Sequence, residues 1–292
     1  MNLMLLSNEA IIRNMQSSTA TLKQMIANIS ILTIAALTII YLCGMLFALL
    51  YADKMIFPYD RPHDQDLLGT VKLQSSHGDT ISAVYYPTAK RSDHIVLYSH
   101  GNNHDLVEFL PILEDFQAHG YSILCYDYPG YGTSSGTASE ASIYAAADAA
   151  YKYVTESLGY APNAISLYGC SLGSGPATWL AQRYPVGRLI IEGGFTSTFR
   201  VMTKFKILPW DRFDNIARLP EVECPVLMIH AKQDEVIPFS HALQNFDAIR
   251  APKDSLWLES AGHNNVVEMG GKTYWNKISD FTQAATSDRI AE

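Results

Sequence analysis

A serine with glycine two positions away on either side, Gly169-Cys170-Ser171-Leu172-Gly173, lies between a short apolar run and a helix-forming one. A serine hydroxyl is a weak nucleophile at neutral pH unless a base takes its proton and a third group orients that base. The pattern suits a sharp strand-to-helix turn that exposes the hydroxyl, with glycines where the backbones crowd together. Ala164–Tyr168 ahead of it has the content of a buried strand, and Leu172, Ala177, Trp179, Leu180 and Ala181 behind it read as helix.

The partners such a serine needs fall beyond later strands. Asp234 follows the apolar run Val226–Ala231, and His263 follows Ser255–Glu259. Each therefore sits just past the carboxyl end of a predicted strand, the edge where such sheets collect their functional loops. Asp234 is the expected acid because it is nearer the strand end, with Glu235 as its rival. Of the nine histidines, His263 alone follows the last predicted strand, and Gly262 and Asn264 around it suit a tight turn. An oxyanion needs preorganised donors. The backbone N–H of Leu172 is one candidate. The second comes from the turn Ser99-His100-Gly101-Asn102-Asn103, with Asn102 preferred and Asn103 as its rival.

Alternating elements must position these groups. Strands are expected at Thr80–Tyr86, His94–Ser99, Ser122–Asp127, Ala164–Tyr168, Arg188–Glu192, Val226–Ala231 and Ser255–Glu259. Helices are expected at Asp105–Ala118, Ser139–Ser157, Leu172–Arg183, Ser240–Ile249 and Val266–Ala285. Continuous apolar runs such as Val226-Leu227-Met228-Ile229 fit parallel strands buried on both faces. The fold class is therefore α/β, a mostly parallel, doubly wound sheet over residues 59–288. Phe195, Phe199, Phe205, Ile207, Leu208, Trp210 and Phe213 populate the one long insertion, Phe195–Pro220. They form either a small cap with an apolar wall for an acyl chain or a plug for the domain's own core. Tyr126–Gly136 reads as a rigid aromatic loop that packs on its neighbour.

Ahead of that domain, residues 24–52 carry no charge and are rich in Ile, Leu, Ala and Met. This exceeds the ~20 residues needed to cross a bilayer core, so it is read as a single transmembrane anchor, with residues 1–23 as a polar tail. A cleaved signal peptide fits less well, because the apolar run is long and no small-residue cleavage site follows it. Flanking charges are nearly tied, with Arg13 and Lys23 on one side and Lys54 and Arg61 on the other. They favour an inside amino terminus only slightly, and unpaired cysteines weigh the other way.

A net charge of −8 with no basic block argues against a nucleic-acid surface. The four cysteines at 43, 125, 170 and 224 form no CxxC pair and read as small apolar fillers, not as a disulfide framework. His100 and His104 flank a turn, a poor geometry for zinc. No cofactor and no metal is expected.

The chain resembles the α/β-hydrolase superfamily, in particular the membrane-associated α/β-hydrolase-domain serine hydrolases that include protein depalmitoylases. The resemblance rests on Ser99–Asn102, Tyr126-Asp127-Tyr128-Pro129-Gly130-Tyr131-Gly132 through Gly136, Gly169–Gly175, Phe213–Ile216, Asp234–Pro238 and Gly262-His263-Asn264. It implies Ser171 as nucleophile, Asp234 as acid, His263 as base, and an oxyanion hole at Asn102 and Leu172. Two departures stand out. Ala231 replaces the glycine usual after the strand histidine, and an apolar helix stands where the depalmitoylases carry a lipid-anchoring cysteine cluster. The expected substrate is an ester or thioester of an apolar acyl group on a small molecule, lipid or protein. A serine aminopeptidase for short peptides and a non-catalytic binding module on the same fold are the alternatives.

Overall fold

The computed structural model describes residues 2–58, 63–88, 93–102, 104–204 and 206–284. Asn103, Phe205 and both ends of the expected 59–288 domain lie outside the described residues. The chain divides into two compact units, Met1–Ala52 and Asp53–Glu292.

The first helix, α1 (Asn2–Ile56), runs through both the polar tail and the apolar stretch. The expected boundary at residue 23 is therefore not a change of backbone conformation. Once a helix is nucleated, each further residue adds a hydrogen bond at little cost. The part Ile12–Ile56 is long and apolar enough to cross a membrane, with a mean hydropathy of 2.4 over its most apolar window.

In the second unit, β1 (Val71–Gln74), β2 (Thr80–Tyr86), β3 (Ile95–Ser99), α2 (Leu106–Ala118), β4 (Ser122–Tyr126), α3 (Glu140–Lys152) and β5 (Ile165–Cys170) lead to the Ser171 turn. They are followed by α4 (Ser174–Arg183), β6 (Arg188–Glu192), α5 (Thr198–Thr203), α6 (Asn215–Arg218), β7 (Val226–Ala231), α7 (Phe239–Ala248), β8 (Lys253–Leu258) and α8 (Val266–Ala284). The sheet order is β1-β2-β4-β3-β5-β6-β7-β8. Only the β1–β2 and β2–β4 pairs are antiparallel. The edge strand β1 was not expected, since four residues with one buried side chain, Leu73, give little periodicity to read.

Successive strand residues point to opposite faces, and the core splits accordingly. Leu97, Leu167, Leu189 and Met228 pack on one side of the sheet with Ala146, Ala177 and Leu180 from α3 and α4. Val96, Tyr98, Tyr168, Ile190 and Leu227 pack on the other with Phe109, Leu113, Tyr274 and Ile278 from α2 and α8. Ser139 caps α3 through a reciprocal bond with Ser142, which explains where that helix starts.

Register places the functional loops. Ser99 pairs with Gly169, Cys170 with Glu192, and Ala231 with Leu258, all at the carboxyl ends of parallel strands. Part of the insertion plugs the domain core, the second of the two roles expected for it. Phe195 and Phe213 are buried in the domain core, whereas Met202 and Ile207 are exposed.

Candidate active site

β5 ends at Cys170, and Ser171 takes a φ of +50° before a single tight turn leads into α4. A non-glycine residue there is uncommon and costs local strain, which the flanking packing enforces. A β-carbon at Gly173 would stand 1.9 Å from the Ser99 carbonyl oxygen, and one at Gly169 would stand 2.5 Å from that of Gly173. Only glycine fits at either end.

His263 Nε2 lies 3.0 Å from Ser171 Oγ, and His263 Nδ1 lies 2.7 Å from Asp234 Oδ2. A carboxylate can only accept, so Nδ1 carries the proton and Nε2 presents its lone pair to the serine hydroxyl. The other Asp234 oxygen accepts N–H bonds from Val236 at 2.9 Å and Ile237 at 2.7 Å. Burial pushes the Asp234 carboxyl up, but the bonds from His263 and Ile237 and the nearby imidazoles outweigh it, and the net shift is downward. Glu235, the rival acid, does something else: its Oε2 accepts the His263 backbone N–H at 3.1 Å. The neighbouring carboxylate thus holds the main chain that carries His263. Burial also lowers His230, which keeps its ring neutral while Nε2–H donates to the Ile237 carbonyl at 2.9 Å.

The two segments expected to supply oxyanion donors lie next to Ser171. Leu172 follows Ser171 in the first turn leading into α4, where backbone N–H groups lack intrahelical partners. A β-carbon at Gly101 would be 3.6 Å from Ser171 Cβ, so the β3 loop passes close by. Three tyrosines brace that loop. Tyr126 OH meets Ser99 Oγ at 2.7 Å, Tyr128 OH donates to the His100 carbonyl at 2.5 Å, and Tyr131 OH donates to Asn102 Oδ1 at 2.6 Å. The Tyr126–Gly136 segment packs on its neighbour, as expected.

Two further buried carboxyls take on contacts that the sequence did not suggest. Asp127 accepts the Leu106 N–H at 2.9 Å and lies 3.6 Å from His100 Nε2. Burial raises its pKa against the pull of His100. Glu192, paired with Cys170 beneath the serine turn, accepts Tyr274 OH at 2.9 Å and Tyr168 OH, while the two phenols lie 2.6 Å apart. Burial raises the Glu192 pKa as it does that of Asp127, partly offset by those bonds. Glu192 ends a short strand and looks like an ordinary polar terminus in sequence; only the strand register reveals its place.

Residues 94–206 match the profile of the family described as "alpha/beta hydrolase fold". Alpha/beta hydrolase domain-containing protein 17B of Xenopus tropicalis is 35% identical over 222 residues, covering 75% of this chain and 76% of that one. The chain belongs to the α/β-hydrolase family. The human 17B hydrolase-domain protein is 34% identical over the same shares of both chains. Among solved structures, an esterase from Pyrococcus furiosus superposes with a TM-score of 0.62 at 15% identity, over 74% of this hydrolase and 91% of that chain. The esterase domain of a Rhodothermus marinus protein gives 0.58 at 17% identity, over 74% and 97%. These two likenesses show the α/β-hydrolase fold.

Proposed function

We propose that this hydrolase is a membrane-anchored serine enzyme that cleaves an ester or thioester of an apolar acyl group. The observation that carries the reading is the unbroken contact from Ser171 Oγ through His263 to Asp234, at 3.0 and 2.7 Å. Ser171 attacks the acyl carbonyl as His263 Nε2 takes its proton. The tetrahedral oxyanion is held by the N–H groups of Leu172 and Asn102. His263 then protonates the departing alcohol or thiol, and Asp234 balances the imidazolium. Water, activated by the same imidazole, releases the acyl group from the serine. The apolar stretch Ile12–Ile56 supports an anchored enzyme that meets lipid-borne acyl groups.

The test is turnover of p-nitrophenyl esters and matching acyl thioesters of graded chain length by the detergent-solubilised full chain. Hydrolysis that rises with chain length, and fluorophosphonate labelling lost in Ser171→Ala, are the expected results. An unlabelled and inactive folded protein would refute the reading. A preference for aminoacyl amides over esters would replace it with a peptidase.

A further inference from the structure

Asp53–Phe57, the last turn of α1 and the residue after it, is fastened to the catalytic face of its own unit. A helix leaves its final carbonyls without intrahelical partners. One of these, Ile56 O, accepts a 2.6 Å hydrogen bond from Asn102 Nδ2. The opposite end of the same amide, Oδ1, accepts from Tyr131 OH at 2.6 Å. The residue whose backbone is assigned to the oxyanion hole is thus gripped at both ends of its side chain. A carbonyl can only accept, so the bond to Ile56 also fixes which way the amide faces.

The neighbouring residue, Phe57, reaches the helix that follows Ser171 by way of Phe213. The Phe57 ring meets Phe213 edge-on at 6.1 Å and 81°. Phe213 lies against the first turn of the nucleophile's helix, where a β-carbon at Gly175 would be 2.3 Å from its Cδ1. Phe213 is held at a φ of +48°, with its N–H donated to Glu140 Oε1 at 2.7 Å. Asp53 adds an ion pair to Arg212 at 3.7 Å.

We infer that the Asp53–Phe57 turn is a positioning element of the active site, setting the oxyanion loop through Asn102 and the nucleophile's helix through Phe213. Turnover then depends on the segment that joins the domain to its apolar helix. The inference rests on the serine-hydrolase reading above.

The test uses the full chain in detergent with Phe57→Ala, Asn102→Ala and the double variant, comparing kcat, KM, fluorophosphonate labelling rate and melting temperature. Loss of a donor held only for the transition state lowers kcat and leaves KM nearly unchanged. Each single variant should lose between about tenfold and several-hundredfold in kcat, approaching the ~10²–10³ measured for removing one oxyanion donor. The double variant should be no worse than the poorer single one, because both act through one strap. Folded single variants with unaltered kcat, or losses that multiply in the double, overturn the inference. Should Phe57→Ala fail to fold, Phe57→Leu takes its place with the same expectation. An unlabelled parent protein would instead sink the serine-hydrolase reading, so the two failures are distinguishable.

Discussion

Gly193 lies against the imidazole of His263: a β-carbon at position 193 would come within 3.3 Å of His263 Cε1 and 3.9 Å of Asp234 Oδ2. Its φ of +57° is also one that side chains rarely adopt. Gly193→Ala therefore displaces His263, the proposed base, while straining the backbone. Steady-state kinetics should show about a hundredfold lower kcat, the usual result of ~1 Å misplacement. A melt should show a loss of about 1–3 kcal/mol from the strained φ.

Asp234 and Glu235 are neighbours with separate tasks, and substitution should separate them. Asp234→Asn removes the acceptor that sets the imidazole tautomer, and kcat should fall by about 10⁴. Glu235→Gln retains an acceptor for the His263 N–H and should stay within about tenfold, the effect of about 1.4 kcal/mol. The reverse ranking in a side-by-side assay would show that the acid is Glu235.

Ser171 holds its left-handed conformation at a cost that glycine does not bear. Ser171→Gly should be inactive and about 1 kcal/mol more stable in urea titrations. Gly173→Ala should behave oppositely: its β-carbon at 1.9 Å from the Ser99 carbonyl forces backbone apart. A loss above ~3 kcal/mol, or failure to accumulate folded protein, is expected.

Glu192 and Asp234 give stability opposite slopes with pH. Burial first of all raises Glu192 above its ordinary 4.5, so the native chain keeps a proton that the unfolded chain releases. Its contribution is complete below that ordinary value and is lost as pH climbs through the raised one. Asp234 is lowered below 3.8 once its hydrogen bonds outweigh burial. Its contribution is complete above that value and fades as pH drops through the depressed one. Glu192→Gln should flatten the upper slope in urea melts and leave the acid limb in place.

The sequence made the mostly parallel sheet readable because continuous apolar runs and glycine-marked ends coincide at nearly every strand. Ser171, His263 and Asp234 could be singled out because each follows a strand end, and strand ends are legible. Choosing between Asp234 and Glu235 was harder, since adjacent carboxylates differ only in where the turn points them; the Val236 and Ile237 N–H groups decide that. Glu192 was hidden because its meaning depends on pairing with Cys170, a register no local pattern encodes. The bond from Asn102 to Ile56 spans 46 positions and joins a side chain to a carbonyl, a contact without a residue-type signature. The insertion divided because aromatic content alone does not say which rings, such as Phe213, turn inward and which apolar groups, such as Met202, stay in solvent.

The three phenols that grip Ser99, His100 and Asn102 have a thermal consequence. The loop is ordered when the chain folds, so its conformational entropy is surrendered before any acyl group arrives. Heat inactivation should therefore track global unfolding, with catalysis and the cooperative transition disappearing at one temperature.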